Sequence, residues 1–360
     1  YYKVETSSPN AISYLFDFTK YTKQEINEDL HSLLNLVEVA YDYKLTNILF
    51  NKDVVITDAV MYEKILTNAW DLHLLNEQNK LELFNTLVQK YISSSIRTVN
   101  DGEINWDNEL PLLIELAAHM TKVLEHNDLN TYFKLKDLID NLSTINKRSY
   151  ITNENAYLAL DAGEVAINLD MVKAIAADVY NLAVNKYVPY ESVKDVIRTN
   201  DTDYTKASFL LDLPGMIDLA RKAVDFGIVT YYHEKDLVIT KADEINDMLA
   251  IIYQLNMVKD REEQFVNVVF GKLAITVDLT GIDYTAEESV ATDIVNKVID
   301  ALAYNNINKV SEVKDLVKQL RNSLKETAKS YRDKQNGYIV LDILTALESS
   351  ELYMRSLLPI

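Results

Sequence analysis

The residue types that could do chemistry are few and scattered. The chain has five histidines, His31, His73, His119, His126 and His233. Only His119 and His126 share a helix face, and they stand seven apart. A zinc site needs histidines one turn apart with a third ligand, as in HExxH, and that spacing does not occur. Carboxylates cluster at Glu25, Glu28 and Asp29, and again at Glu287 and Glu288. Paired carboxylates can act as acid and base when their surroundings separate their pKa values. Both clusters lie at expected helix starts, where negative charge already suits the helix dipole. Asn200-Asp201-Thr202-Asp203 alternates oxygen side chains as a calcium loop does, but lacks the glycine and closing Glu of an EF-hand. It reads as a polar linker.

Tyrosine is abundant, 23 residues against 9 Phe and 2 Trp. Tyr187, Tyr190, Tyr231 and Tyr232 fall in expected loops, where a ring can pack while its hydroxyl bonds. These four form the candidate aromatic interaction surface. No catalytic, cofactor-binding or metal-binding set is assigned. A phosphate-binding loop, a dinucleotide fingerprint and a GxSxG nucleophile elbow are all missing from the sequence. A helical glycan lyase would require converging Tyr, His, Arg and Asn, and no spacing singles such a set out.

Composition narrows the classes further. There is no Cys, so thiol catalysis, disulfides and Cys-based zinc sites are excluded for this chain. The net charge is −19 and no basic stripe interrupts it, which argues against nucleic acid. No 20-residue apolar run suggests membrane insertion. The chain opens on Tyr1-Tyr2-Lys3, as a processed product or a piece of a longer protein would. Gly and Pro number only 7 and 5 in 360 residues, which favours long helices over sandwiches, barrels or Rossmann sheets.

The elements that must carry these residues repeat. At an offset of 183, Tyr21-Thr22-Lys23 meets Tyr204-Thr205-Lys206, and Asp29-Leu30 meets Asp212-Leu213. Lys52 to Thr57 likewise meets Lys235 to Thr240. Between 21 and 75, 16 of 55 positions are identical. Downstream, Lys136-Asp137-Leu138 meets Lys314-Asp315-Leu316 at 178, and Asn155 to Asp161 meets Asn336 to Asp342 at 181. A fainter inner repeat relates Leu110-Pro111 to Leu213-Pro214.

Leu30, Leu33, Leu34, Val37, Ala40 and Tyr41 fall on one helical face, which the pattern assigns to the core. Val60, Ile65, Ala69 and Leu72 mark a second class of helix. Thr57 and Thr240 are expected N-caps, and Thr285-Ala286-Glu287-Glu288 reads as a capping box. Asn100-Asp101-Gly102 is the clearest turn. Val54 to Ile56, Leu237 to Ile239 and Ile228 to Tyr232 are expected to be extended, the last two as a small hairpin.

The expected fold is therefore all-α: a tandem-duplicated helical repeat, either a HEAT-like superhelix or two stacked bundles, with halves 1–187 and 188–360. The expected function is a non-enzymatic interaction or structural protein, with protein binding or self-association ahead of glycan binding. A carbohydrate-active helical enzyme or accessory domain, and a cytosolic peptide-binding scaffold, are the alternatives. No cofactor is implied. A secreted or cell-surface location stands ahead of the cytoplasm.

Overall fold

The computed structural model describes residues 21–141, 144, 147–188, 194, 204–259, 261–272, 277–322 and 331–357. The described residues are nearly all helical. Packing divides the chain into two units, 1–183 and 184–360.

Unit 1 carries α1 (Lys23–Asp42), α2 (Ala59–Trp70), α3 (Glu77–Leu87), α4 (Trp106–His126), α5 (Tyr132–Asp140), α6 (Asn153–Ala166) and α7 (Asp170–Tyr187), the last crossing the unit boundary. Its long helices pack in chain order: α1 on α2, α2 on α4, α4 on α6. Unit 2 carries α8 (Lys206–Phe226), α9 (Ile228–Glu234), α10 (Ala242–Gln254), α11 (Asn256–Lys259), α12 (Glu262–Lys272), α13 (Tyr284–Tyr304), α14 (Val310–Asn322), α15 (Lys334–Glu348) and α16 (Glu351–Ser356). There α8 packs on α10, α10 on α13 and α13 on α15.

Helix ends explain much of the sequence. Thr22 and Glu25 form a reciprocal capping box at the start of α1. Three expected caps move by one or two residues. Asp58, not Thr57, caps α2 by accepting from the Met61 amide at 3.0 Å. The Asp carboxylate sits at the last extended residue, where it can reach the first free amides. Lys241 occupies the N-cap of α10, and Thr240 instead donates to Asn308. Likewise Asp283, not Thr285, caps α13, because that helix begins two residues earlier, at Tyr284.

The C-termini of α4 and α13 end alike. Asp128 and Asn306 take φ of 55° and 54°. The next residues bond back five positions, Leu129 to Leu124 at 2.8 Å and Ile307 to Leu302 at 2.9 Å. This is a Schellman closure with Asp or Asn where Gly is commonest. It shows how so few glycines suffice. Asn127 and Asn155 exchange side-chain amide bonds across α4 and α6, and Asn305 and Asn336 do the same across α13 and α15.

The extended runs shrink to single bridges, Val55 with Thr131 and Val238 with Lys309. Each is flanked by one amide bond in each direction. Asp53 anchors the first by accepting from the Phe133 amide at 2.9 Å, and Asp236 anchors the second through Ser311 at 3.0 Å. The expected hairpin strand over Ile228 to Tyr232 is instead helix α9. Gly227, at φ 112°, closes α8 and lets the chain re-enter a helix at once. The Asn100-Asp101-Gly102 turn is present, and Glu103 bonds both the Asn100 amide and Arg97. Arg97 holds the Glu103 carboxyl down at about 2, and also ties the Ala174 carbonyl at 2.8 Å.

Four buried or half-buried acids link successive layers. Asp29 on α1 accepts from the His73 amide at 2.9 Å. Glu109 on α4 accepts from the amides of Asp170 and Met171 at 2.7 and 3.3 Å. Asp212 on α8 accepts from the amides of Asn256 and Met257 at 2.7 and 2.8 Å. Glu287 on α13 accepts from the Glu351 amide at 2.6 Å and from the Ser350 hydroxyl at 2.7 Å. Each acid lies in the first two turns of a long helix and satisfies amides opening a later helix or 3₁₀ turn. Those amides have no partner within their own helix.

Asp212 is 2% exposed and also accepts the Tyr204 hydroxyl at 2.7 Å. Replacing Asp212 by Leu strands several donors in the interior. A stability loss of about 3 kcal/mol or more is expected in urea titrations. Asp212→Asn, which keeps one acceptor oxygen, should lose less.

Candidate functional site

The carboxylate clusters resolve into architecture. Glu25 is bound in its capping box. Asp29 is buried and bonds both the amide and Nδ1 of His73, the latter at 2.8 Å, while Glu28 lies 3.2 Å from Nε2. The Asp29 hydrogen bond, with the charges of Asp29 and Glu28 behind it, raises the His73 pKa. Glu287 is committed to the start of α16, and burial raises its neighbour Glu288. Burial also raises Glu109, against the backbone amides it accepts.

The remaining histidines stay apart in role. His31 is exposed beside Asn35, His119 is half-buried on α4, and His126 is exposed at its end. His233 lies edge-on to Tyr232 with ring centroids 5.3 Å apart. Among the described residues no group of three or more His, Asp or Glu is placed to hold a metal. The Asn200 to Asp203 stretch lies outside the described residues.

Of the four candidate tyrosines, Tyr187 ends α7 and is 73% exposed, with Lys186 Nζ 5.1 Å from its ring centre. Tyr231 is half-buried and Tyr232 exposed on α9, and Lys235 Nζ stands 5.9 and 5.1 Å from the two rings. Tyr190 lies outside the described residues.

A long exposed apolar row lies where the periodicity assigned a core face. On α1, Ile26, Leu30, Leu34, Val37 and Tyr41 form a stripe facing outward, 38% to 78% exposed. Leu33 and Ala40, on its inner edge, are half-buried, and Val39 is buried. Periodicity locates an apolar face but does not say whether a neighbour covers it. The corresponding positions of α8 differ. Leu213, Ile217 and Ala220 are half-buried and Val224 is buried. Outer edges of the α1 stripe carry Asn27, His31, Glu38 and Asp42, all exposed. A second apolar face, Val340, Leu341 and Leu344, is exposed on α15.

Among the described residues no helix is long and apolar enough to cross a membrane. No family model, curated protein or solved structure matches this chain.

His73 gives a direct readout of the first carboxylate cluster. Its folded pKa is raised, so its stabilising contribution is complete below the ordinary value near 6.5 and is lost as pH climbs through the raised one. NMR titration should place the imidazole above 6.5, and Asp29→Asn should bring it back toward that value.

Proposed function

We propose that the chain is a non-enzymatic docking scaffold, built as a tandem duplication of a helical unit, and that α1 receives a basic amphipathic helix from a protein partner. The observation that carries this reading is the exposed stripe from Ile26 to Tyr41. A soluble domain leaves so ordered an apolar row uncovered chiefly where something binds. Its spacing of four, four, three and four residues suits a second helix laid along it. The helix is 20 residues long, about 30 Å, enough for several turns of contact.

Charge selects the partner. Glu38 and Asp42 flank the stripe, and the chain carries −19 overall. Two such chains repel each other, whereas a lysine- or arginine-bordered helix is attracted and oriented. The duplication is supported by paired contacts at the same offsets as the sequence matches: Asp29 with Asp212 at 183, Glu109 with Glu287 and Asn127 with Asn305 at 178. The scaffold reading is further supported by Glu25, Asp29, Glu109, Asp212 and Glu287, whose carboxylates are occupied with helix ends.

Two designed helical peptides test it, one pairing Leu with Lys and one pairing Leu with Glu, followed by fluorescence anisotropy at low salt. The Lys peptide should bind and the Glu peptide should not. Leu34→Asp combined with Val37→Asp should weaken binding at least roughly tenfold, since each removes central apolar contact and leaves the fold intact. Equal binding of both peptides, or binding indifferent to the double substitution, would overturn the reading.

A further inference from the structure

Unit 2 has a half-open cavity of about 540 Å³ lined chiefly by α10, α13 and α16. Leu249, Ile252, Val266, Ala291 and Ile294 give it apolar walls. Its polar groups are unusual in being unmatched. The Tyr284 hydroxyl is buried and has no hydrogen-bond partner among the described residues. The Glu288 carboxylate shares the cavity and makes no hydrogen bond or ion pair among the described residues. Tyr284 and Glu288 are four apart on α13, so they occupy neighbouring positions on one helix face. A buried hydroxyl left unbonded costs on the order of 1–3 kcal/mol. Such a hydroxyl beside an apolar space, with the half-buried Glu288 one turn away, calls for a ligand that satisfies it.

The sign of the site follows from its lining. Glu262, Glu287 and Glu288 are its acidic members, and among the described residues no Lys, Arg or His lines it. Glu287 has its oxygens taken by Ser350 and the Glu351 amide. An anionic ligand would meet uncompensated repulsion. A cation meets Glu288 and the faces of Tyr253, Tyr284 and Tyr353, all of which can attract it.

Unit 1 shows what fills the matching place there. Tyr253 stands 183 residues after Trp70, and Tyr284 and Glu288 stand 178 after Trp106 and Leu110. The two indoles pack with centroids 6.1 Å apart, joined to the cluster of Leu81, Val88, Val99 and Ile104. Lys80 lays its own ammonium 4.2 Å from the centre of the Trp70 ring. Unit 1 therefore holds an alkylammonium on an aromatic face from within its own chain. In unit 2 the aromatics are smaller, a carboxylate replaces Leu, and no lysine enters.

We propose that the unit 2 cavity binds a small apolar amine, its hydrocarbon body among Leu249, Ile252 and Ile294 and its ammonium against Glu288 and Tyr284. Burial already favours the uncharged form of Glu288, and a bound cation would relieve that cost. The site is independent of the α1 face and stands or falls by its own ligand.

The test is isothermal titration calorimetry of the whole chain with 4-phenylbutylamine, and with 4-phenylbutyrate as the anionic match of equal shape. The amine should bind in the millimolar range or tighter, and the carboxylate at least roughly tenfold more weakly. Glu288→Gln keeps the shape and removes the charge, and should cost the amine about tenfold or more. Tyr284→Trp restores the side chain that unit 1 uses and should close the cavity, abolishing amine binding while the thermal transition stays cooperative. Three results would overturn the proposal: no amine binding in the millimolar range, equal binding of amine and carboxylate, or amine binding unchanged in both variants.

Discussion

Every α-helix opens with amides that its own backbone cannot satisfy, and this protein uses that need to hold its layers together. Asp29, Glu109, Asp212 and Glu287 each leave the early turns of one long helix and accept amides at the start of a later element. A buried carboxylate is costly to desolvate, and the amides it receives offset that cost only when the geometry is right. The two partners are far apart in sequence, by 44 residues at Asp29 and by 61 to 65 at Glu109 and Glu287. Each contact therefore fixes a tertiary relation as well as capping a helix. The four points tie α1, α4, α8 and α13 of the packed rows to elements beside them: the turn at His73, α7, α11 and α16.

Much of this was legible in the sequence, for reasons that differ from one element to another. Low Gly and Pro and the 3.6-residue apolar pattern announced helices, because local backbone freedom and local periodicity are properties of the chain alone. The Asp29 and Asp212 match was visible as Asp-Leu at an offset of 183. Its meaning was not, since the acceptor's partner lies 44 residues away. Glu287 fell inside the Thr285 to Glu288 stretch that reads as a capping box. Its carboxylate instead serves α16, a choice made by packing. Ile228 to Tyr232 is rich in β-branched and aromatic residues, yet a left-handed Gly227 turns it into helix α9, tertiary context overriding propensity.

Surfaces were the least legible feature. The stripe on α1 and its counterpart on α8 have the same pattern, and only the fold distinguishes an uncovered face from a covered one. The cavity in unit 2 was equally hidden. Tyr253 and Tyr284 carry no motif, and Glu288 read only as a helix-start acid; they stand out because Trp70, Trp106 and Leu110 occupy the positions 183 and 178 residues earlier. The tyrosine surface drawn from the sequence rests on Tyr187 and Tyr232, which are exposed, and on Tyr231, which is half-buried. Both proposed binding features thus lie where one unit's sequence departs from the other's.

Backbone hydrogen exchange, read residue by residue, addresses the carboxylate contacts most directly. The amides of His73, Asp170, Met171, Asn256, Met257 and Glu351 all point at a side-chain acid rather than at a preceding carbonyl of their own helix. If those acids hold the layers, these amides exchange as slowly as the helix interiors around them, opening only when the surrounding unit opens. Fast exchange at all six sites, at the rate of frayed helix ends, would contradict it.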